Sequence, residues 1–174
     1  MTEYHLSTPL PEAATKKLEI GDIVYLNGKA FTCRSRLQKY IFDEERDLPF
    51  STKNRNILIH AGPIIISENN QWKLISFMPT SSIRFEKWGA TSIKEWRLRI
   101  ICGKTTMGKN TSEVMKKENC VHVTPISVSP NLWMKSLIIE DVFLFDELGS
   151  IEAPWLFKLK EFGPFIVDID TKGN

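Results

Sequence analysis

Three short polar clusters follow β-prone runs in this chain. Arg34, Ser35 and Arg36 come after Cys33, Thr80 to Arg84 after Gln71–Met78, and Gly103 to Gly108 after Arg97–Cys102. Loops at strand ends are where α/β domains usually place ligands. The clusters offer Arg34, Arg84 and Lys104 as cations and Thr80, Ser81 and Ser82 as hydroxyls. An arginine fork grips a carboxylate with two parallel bonds, and a lysine adds a point charge. Three cations of this kind suit a small dicarboxylate. A surface or capping role is the competing reading for each residue taken alone.

Other chemistries find less support. Gly103-Lys104-Thr105-Thr106 resembles half of a phosphate-binding loop, but Leu98 stands where that loop needs its first glycine. No G-x-S-x-G elbow and no HExxH motif occur. Cys33, Cys102 and Cys120 are widely spaced, with no C-x-x-C pair, and no histidine stands at ligand spacing from any of them. They read as buried structural thiols in a reducing compartment, and a metal used by this protein is expected on another chain. The Asn110-Thr111-Ser112 glycosylation pattern is read as incidental.

The elements that must carry these clusters can be drafted from pattern. Pro11 and Glu12–Leu18 suit a short helix stopped by Gly21. Asn27-Gly28 between two β-favouring runs predicts a hairpin. Arg34–Phe42 suits a helix, Asn56–His60 a short buried strand ending at Ala61-Gly62-Pro63, and Gln71–Met78 another strand. Ile83–Trp96 predicts a helix in its first part, and Asn110 with Glu113 stands at capping-box spacing. Arg97–Cys102, Cys120–Pro125, Leu137–Phe145, Trp155–Lys160 and Phe165–Ile169 read as strands, and Pro130 as the start of a short helix. Strands outnumber helices and alternate with them in the middle, which predicts a mixed α/β class with hairpins and crossover units together.

The chain has 174 residues, 42% of them hydrophobic and 25% charged, with a net charge of +2. One domain over 1–174 is expected, large enough to bury roughly 70% of the surface its unfolded chain exposes. Near-neutral bulk charge argues against nucleic acid as a partner. No apolar run is long enough to cross a bilayer and the start lacks the pattern of a secretory leader, so a cytoplasmic location is expected. The charge is uneven. Lys94–Lys117 holds seven basic residues against two acids, and Glu140–Asp170 holds eight acids against two lysines. Two solvated faces, or a cationic site for an anionic ligand, both fit that pattern.

The order of the pieces resembles a known family. Thr8-Pro9-Leu10, Gly21-Asp22-Ile23-Val24-Tyr25, Phe31-Thr32-Cys33-Arg34, Leu48-Pro49-Phe50 and His60-Ala61-Gly62-Pro63 are similar to the opening half of the β subunit of iron–sulfur (class I) fumarases and L-tartrate dehydratases. Pro79-Thr80-Ser81-Ser82-Ile83-Arg84 is close to that family's P-T-T-S-x-R. Gly103-Lys104, Met107-Gly108, Asp146-Glu147-Leu148-Gly149, Glu152-Ala153, Trp155 and the terminal Ile166-Val167, Ile169-Asp170 and Gly173-Asn174 continue the likeness in order.

The resemblance implies a swivelling β/β/α domain with a mixed sheet. It closes over a [4Fe–4S] cluster held by three cysteines of a partner α subunit, with no metal ligand in this chain. It implies reversible hydration of a small dicarboxylate (fumarate/malate, tartrate or a relative), with the cluster's open iron as Lewis acid. Carried over by position, Arg34, Arg84, Lys104 and Ser81 would bind substrate, and Thr80 would be the base beside a carboxylate-bearing carbon. A threonine hydroxyl needs strong activation for that task. A hetero-oligomer is expected. Ser35 and Gln38 replace residues of the family's A-R-D-x-x-H, Thr105-Thr106 replaces the glycine pair of G-K-G-G, and Met78 stands where a glycine often precedes the proline. These departures leave the substrate open. The alternative is a non-catalytic binding or regulatory domain that kept the fold.

Overall fold

The computed structural model describes residues 1–126 and 129–174. In chain order the elements are β1 (Glu3–Ser7), α1 (Glu12–Lys16), β2 (Ile23–Cys33), α2 (Ser35–Gln38), β3 (Ile57–His60), β4 (Ile64–Glu68) and β5 (Gln71–Ser76). There follow α3 (Glu86–Trp96), β6 (Ile100–Cys102), α4 (Lys109–Glu118), β7 (Val121–Pro125), β8 (Leu137–Val142), α5 (Phe145–Leu148) and β9 (Trp155–Ile169). A π-helical turn continues α2 over Lys39–Asp43, and a 3-10 turn over Ser82–Phe85 leads into α3.

The main sheet runs β1-β2-β3-β6-β7-β9-β8. Its first five strands are parallel neighbours, and β9 is antiparallel to β7 and β8. β9 also returns to pair with β2, which closes the ring β2-β3-β6-β7-β9. β4 and β5 form a separate antiparallel hairpin. This is the mixed α/β class expected from the alternating pattern.

The central strands β3, β6 and β7 are short and buried on both faces, so their side chains alternate between two cores. Ile57, Ile59, Ile100, Cys102, Val121 and Val123 join one core with Trp133, Phe157, Phe162 and Phe165. Leu58 and Ile101 turn to the other core, under Ile93 and Trp96 of α3 and Met115 of α4. Burying a side chain of this size contributes about 1.5–3 kcal/mol. The same alternation puts His60, two residues after Leu58, and His122, the sheet partner of Ile101, on the helix-covered face.

Several local expectations need correction. Asn27-Gly28 is no hairpin turn, because β2 runs unbroken through it. The pair sits at a bulge opposite β9, where Asn27 exchanges side-chain bonds with the Glu161 backbone N–H (2.8 Å) and carboxylate (2.6 Å). Gly28 has φ +86°, and a Cβ there would strike Thr8. Trp155–Lys160 and Phe165–Ile169 are one strand, with Pro164 in the irregular stretch between two paired halves, where no ladder N–H is missed. The helix expected in the first part of Ile83–Trp96 begins as the 3-10 turn and runs on through Gly89 as α3 to Trp96. Asn110 lies inside α4, and the cap comes instead from Glu86, whose carboxylate accepts from Gly108 N–H at 2.7 Å and Thr111 N–H at 3.1 Å. Pro130 precedes only a short 3-10 turn, Met134–Ser136. β4 had no counterpart in the sequence reading. It pairs through Asn69-Asn70, both at positive φ.

Candidate active site

Backbone hydrogen bonds sew the second and third polar clusters to each other and to the C-terminal end of β3, which lies between β2 and β6 in the sheet. Thr80 N–H donates to His60 C=O (2.6 Å), Lys104 N–H to Thr80 C=O (2.9 Å), and Ser82 N–H to Lys104 C=O (2.8 Å). Gly103 is required at this junction, because a Cβ there would collide with Ser82 Oγ and crowd the Thr80 carbonyl at 3.1 Å. The chain order of the clusters is thus converted into adjacency by a parallel sheet.

Arg34, Thr80 and Lys104 line one open cleft of about 240 Å³ with Gly62, Ile64 and Met78. Two cations and a half-buried hydroxyl therefore meet beside an apolar wall, where charge is screened less than in open water. Arg84 and Ser81 do not line it. Arg84 is exposed on the 3-10 turn, and Ser81 bridges to Lys104 through its backbone. Of the basic run Lys94–Lys117, only Lys104 reaches the cleft. Arg99 is bound to Glu12 (3.0 Å) and the Glu118 carbonyl (2.5 Å) in a different groove. The half phosphate loop is also spoken for, since Glu86 fills the N-terminus of α4.

Glu152 aims Arg34. Its Oε1 lies 3.1 Å from Arg34 Nε, at an angle that leaves the Nε–H without a linear bond, and its Oε2 accepts the Arg36 N–H at 2.9 Å. The ion pair is largely shielded, with side-chain exposures of 27% and 16%. Holding the Nε edge leaves the Nη edge of the guanidinium for a ligand. Gln38 is buried and donates to Ser92 Oγ at 3.2 Å, so it serves packing rather than the cleft.

Beneath the cleft lies a buried polar chain to which the sequence reading assigned no role. Asp168 Oδ1 is 2.5 Å from His122 Nδ1, His122 Nε2 is 2.7 Å from Ser82 Oγ, and Ser82 Oγ is 2.9 Å from His60 Nδ1. Ser82, His60 and His122 are fully buried, and the His60 ring packs against Phe85, centroids 4.4 Å apart and planes tilted by 38°. Burial, reinforced by His122, holds the His60 imidazole well below its usual pKa, so the ring is neutral. The Asp–His–Ser order is that of a hydrolase triad, but a buried Ser82 already bound to two rings cannot meet a substrate carbonyl. Two histidines at like parity on β3 and β7, the strands either side of β6, with a serine in a nearby loop, were the available signal.

The three thiols are free and buried, as expected, and burial pushes each well above its ordinary pKa. Thiolate ligands are disfavoured there, and among the described residues no cluster of metal-ligating side chains forms. These residues do not suit an iron–sulfur cluster. Among the described residues no helix is long and apolar enough to cross a membrane.

The family model described as Fumarase C-terminus matches residues 1–174. The chain is 34% identical over 170 residues to the L(+)-tartrate dehydratase subunit beta of Escherichia coli K12, covering 97% of this chain and 84% of that one. It is 30% identical over 171 residues to a Geobacillus stearothermophilus protein provisionally named class I fumarate hydratase, covering 97% of this chain and 32% of that one. A match along the whole chain shows that the protein belongs to the fumarase C-terminus family, in the group of class I fumarase and tartrate dehydratase β subunits.

Proposed function

We propose that this chain is the substrate-clamping β subunit of a hydro-lyase that adds water reversibly to a small dicarboxylate. The observation that carries this reading is the convergence of Arg34, Thr80 and Lys104 on one cleft. The Arg34 Nη edge and the Lys104 ammonium would each take a substrate carboxylate. Thr80 Oγ1 would move the proton at the carbon between them, helped by the positive charge of Lys104. Arg84, exposed beside the cleft, would reach the substrate or the partner once the cleft is covered.

The partner in this reading is an α subunit, in keeping with the "subunit beta" in the names of the tartrate dehydratase relatives. It would carry the [4Fe–4S] cluster, which would supply Lewis-acid chemistry from outside this chain. Exposed Ile64 lines the cleft, and exposed Ile151 packs beside Gly62 at its edge, which suits a rim that another chain covers.

The test is anaerobic co-expression with a class I α subunit, followed by hydration and dehydration assays on fumarate, malate and tartrate. Turnover of one of them is expected, and Thr80→Ala should lower kcat by at least about 100-fold. Assembly without turnover of any dicarboxylate, or an active Thr80→Ala, would overturn the reading.

A further inference from the structure

The buried chain under the cleft has a direction. A carboxylate only accepts, so His122 Nδ1 donates to Asp168 at 2.5 Å. When each ring carries a single proton, His122 Nε2 then accepts the Ser82 O–H at 2.7 Å, and Ser82 Oγ accepts from His60 Nδ1–H at 2.9 Å. With one proton on each ring, no other arrangement satisfies all three contacts. His60 Nε2 is left bare, and it is buried with no hydrogen-bond partner among the described residues.

Asp168 reaches this position through an irregularity in the sheet. β9 pairs Ile169 with His122 and Val167 with Val123, and the register shift between them leaves Asp168 as the extra residue. Val167 belongs to one core and Ile169 to the other, so the bulge changes the face that β9 presents at this point. The side chain of Asp168 is 22% exposed and that of His122 is fully buried, so the chain begins near solvent and ends under Thr80. From the His60 ring the chain continues through that residue's own backbone, whose carbonyl accepts the Thr80 N–H at 2.6 Å.

We propose that Asp168 is a positioning residue: through His122, Ser82 and the tautomer of His60 it fixes the place of Thr80 in the cleft. If the direction were reversed, His60 Nε2 would carry an N–H with no acceptor in a buried site. That is costly, so the ring and its carbonyl shift, and Thr80 moves with them. The role of Thr80 in turnover rests on the function proposed above, whereas the direction of the chain does not.

Asp168→Asn is the discriminating variant, because an amide can donate to His122 Nδ1 and so reverse every bond while keeping the shape. Long-range proton–nitrogen NMR on the full chain, labelled at histidine, reads each ring nitrogen. In the wild type, His60 should be protonated at Nδ1 and bare at Nε2, and Asp168→Asn should exchange the two. Ser82→Ala should make the His60 tautomer independent of residue 168. An identical His60 tautomer in wild type and Asp168→Asn would overturn the proposal. In the assembled enzyme, Asp168→Asn should lower kcat about 10- to 100-fold with KM within about twofold, the signature of a displaced reacting group. Unchanged kcat with a lowered unfolding midpoint would reduce the chain to a structural feature and also overturn the proposal. If the wild-type assembly turns over no dicarboxylate, the proposed function falls, while the nitrogen shifts still decide the chain.

Discussion

Glu152 grips Arg34 from the side that faces away from a ligand, with Oε1 3.1 Å from Nε and Oε2 tied to the Arg36 N–H at 2.9 Å. The carboxylate thus anchors to the first turn of α2 and orients the guanidinium just before it. Glu152→Gln keeps an acceptor for Arg36 but removes the charge that steadies Arg34. KM for the dicarboxylate should rise about tenfold, the scale of one charge-assisted contact, with little change in kcat. Steady-state kinetics of the assembled enzyme measures this. A lower KM would mean that Glu152 competes with substrate for Arg34.

Gly103 lies where three loops cross, and its missing side chain is what lets them meet. Gly103→Ala would drive a methyl into Ser82 Oγ and against His60 Cβ at 3.2 Å. Neither neighbour is the free end of a flexible side chain, so the junction has to open. A stability loss of about 1–3 kcal/mol is expected, typical of overpacking. Urea unfolding of the chain would show it as a lower midpoint with an unchanged slope.

The strands that position the site were readable because Gly and Pro bound short apolar runs, as at Ile57–His60 and Ile100–Cys102. Long-range partners were not readable. Asn27-Gly28 carries a strong turn signal, yet Glu161, 134 residues away, binds the Asn27 side chain and keeps the strand whole. The cap of α4 likewise comes from Glu86 rather than from its own first turn. In the cleft, Arg34, Thr80 and Lys104 were legible as cations and a hydroxyl at strand ends. Asp168 sat unremarked in an acidic run, because its role depends on a single bulge in β9. Arg84 and Ser81 look equivalent to their neighbours in sequence, and only the 3-10 turn separates them from the cleft.

His60 makes stability depend on pH in a definite direction. Burial, with His122 adding to it, holds its pKa well below 6.5. Below pH 6.5 the unfolded chain therefore binds a proton that the folded one refuses. The stabilisation from this group is complete above pH 6.5 and is lost as pH falls from there toward the lower folded value. Urea midpoints should drop between pH 7 and pH 5, and His60→Gln should flatten that drop. Equal slopes in the two proteins would show that His60 does not contribute.

Thr105 adopts φ +58° in the loop that carries Lys104. For a β-branched residue this is a strained conformation, because Cβ crowds the following carbonyl, and the cost is about 1–2 kcal/mol. Glycine adopts the same backbone freely. Thr105 is exposed, so replacing it removes little packing. Thr105→Gly should therefore raise stability by about 1 kcal/mol, less what the more flexible unfolded chain takes back. The urea midpoint measures the gain. If Thr105→Gly instead lowers it, the threonine is making a contact worth more than its strain. Because Thr105 follows Lys104 directly, the same variant should change KM more than kcat: a looser loop weakens the hold of the Lys104 side chain on a carboxylate, while Thr80 keeps its N–H bond to the His60 carbonyl beside the one it accepts from the Lys104 backbone.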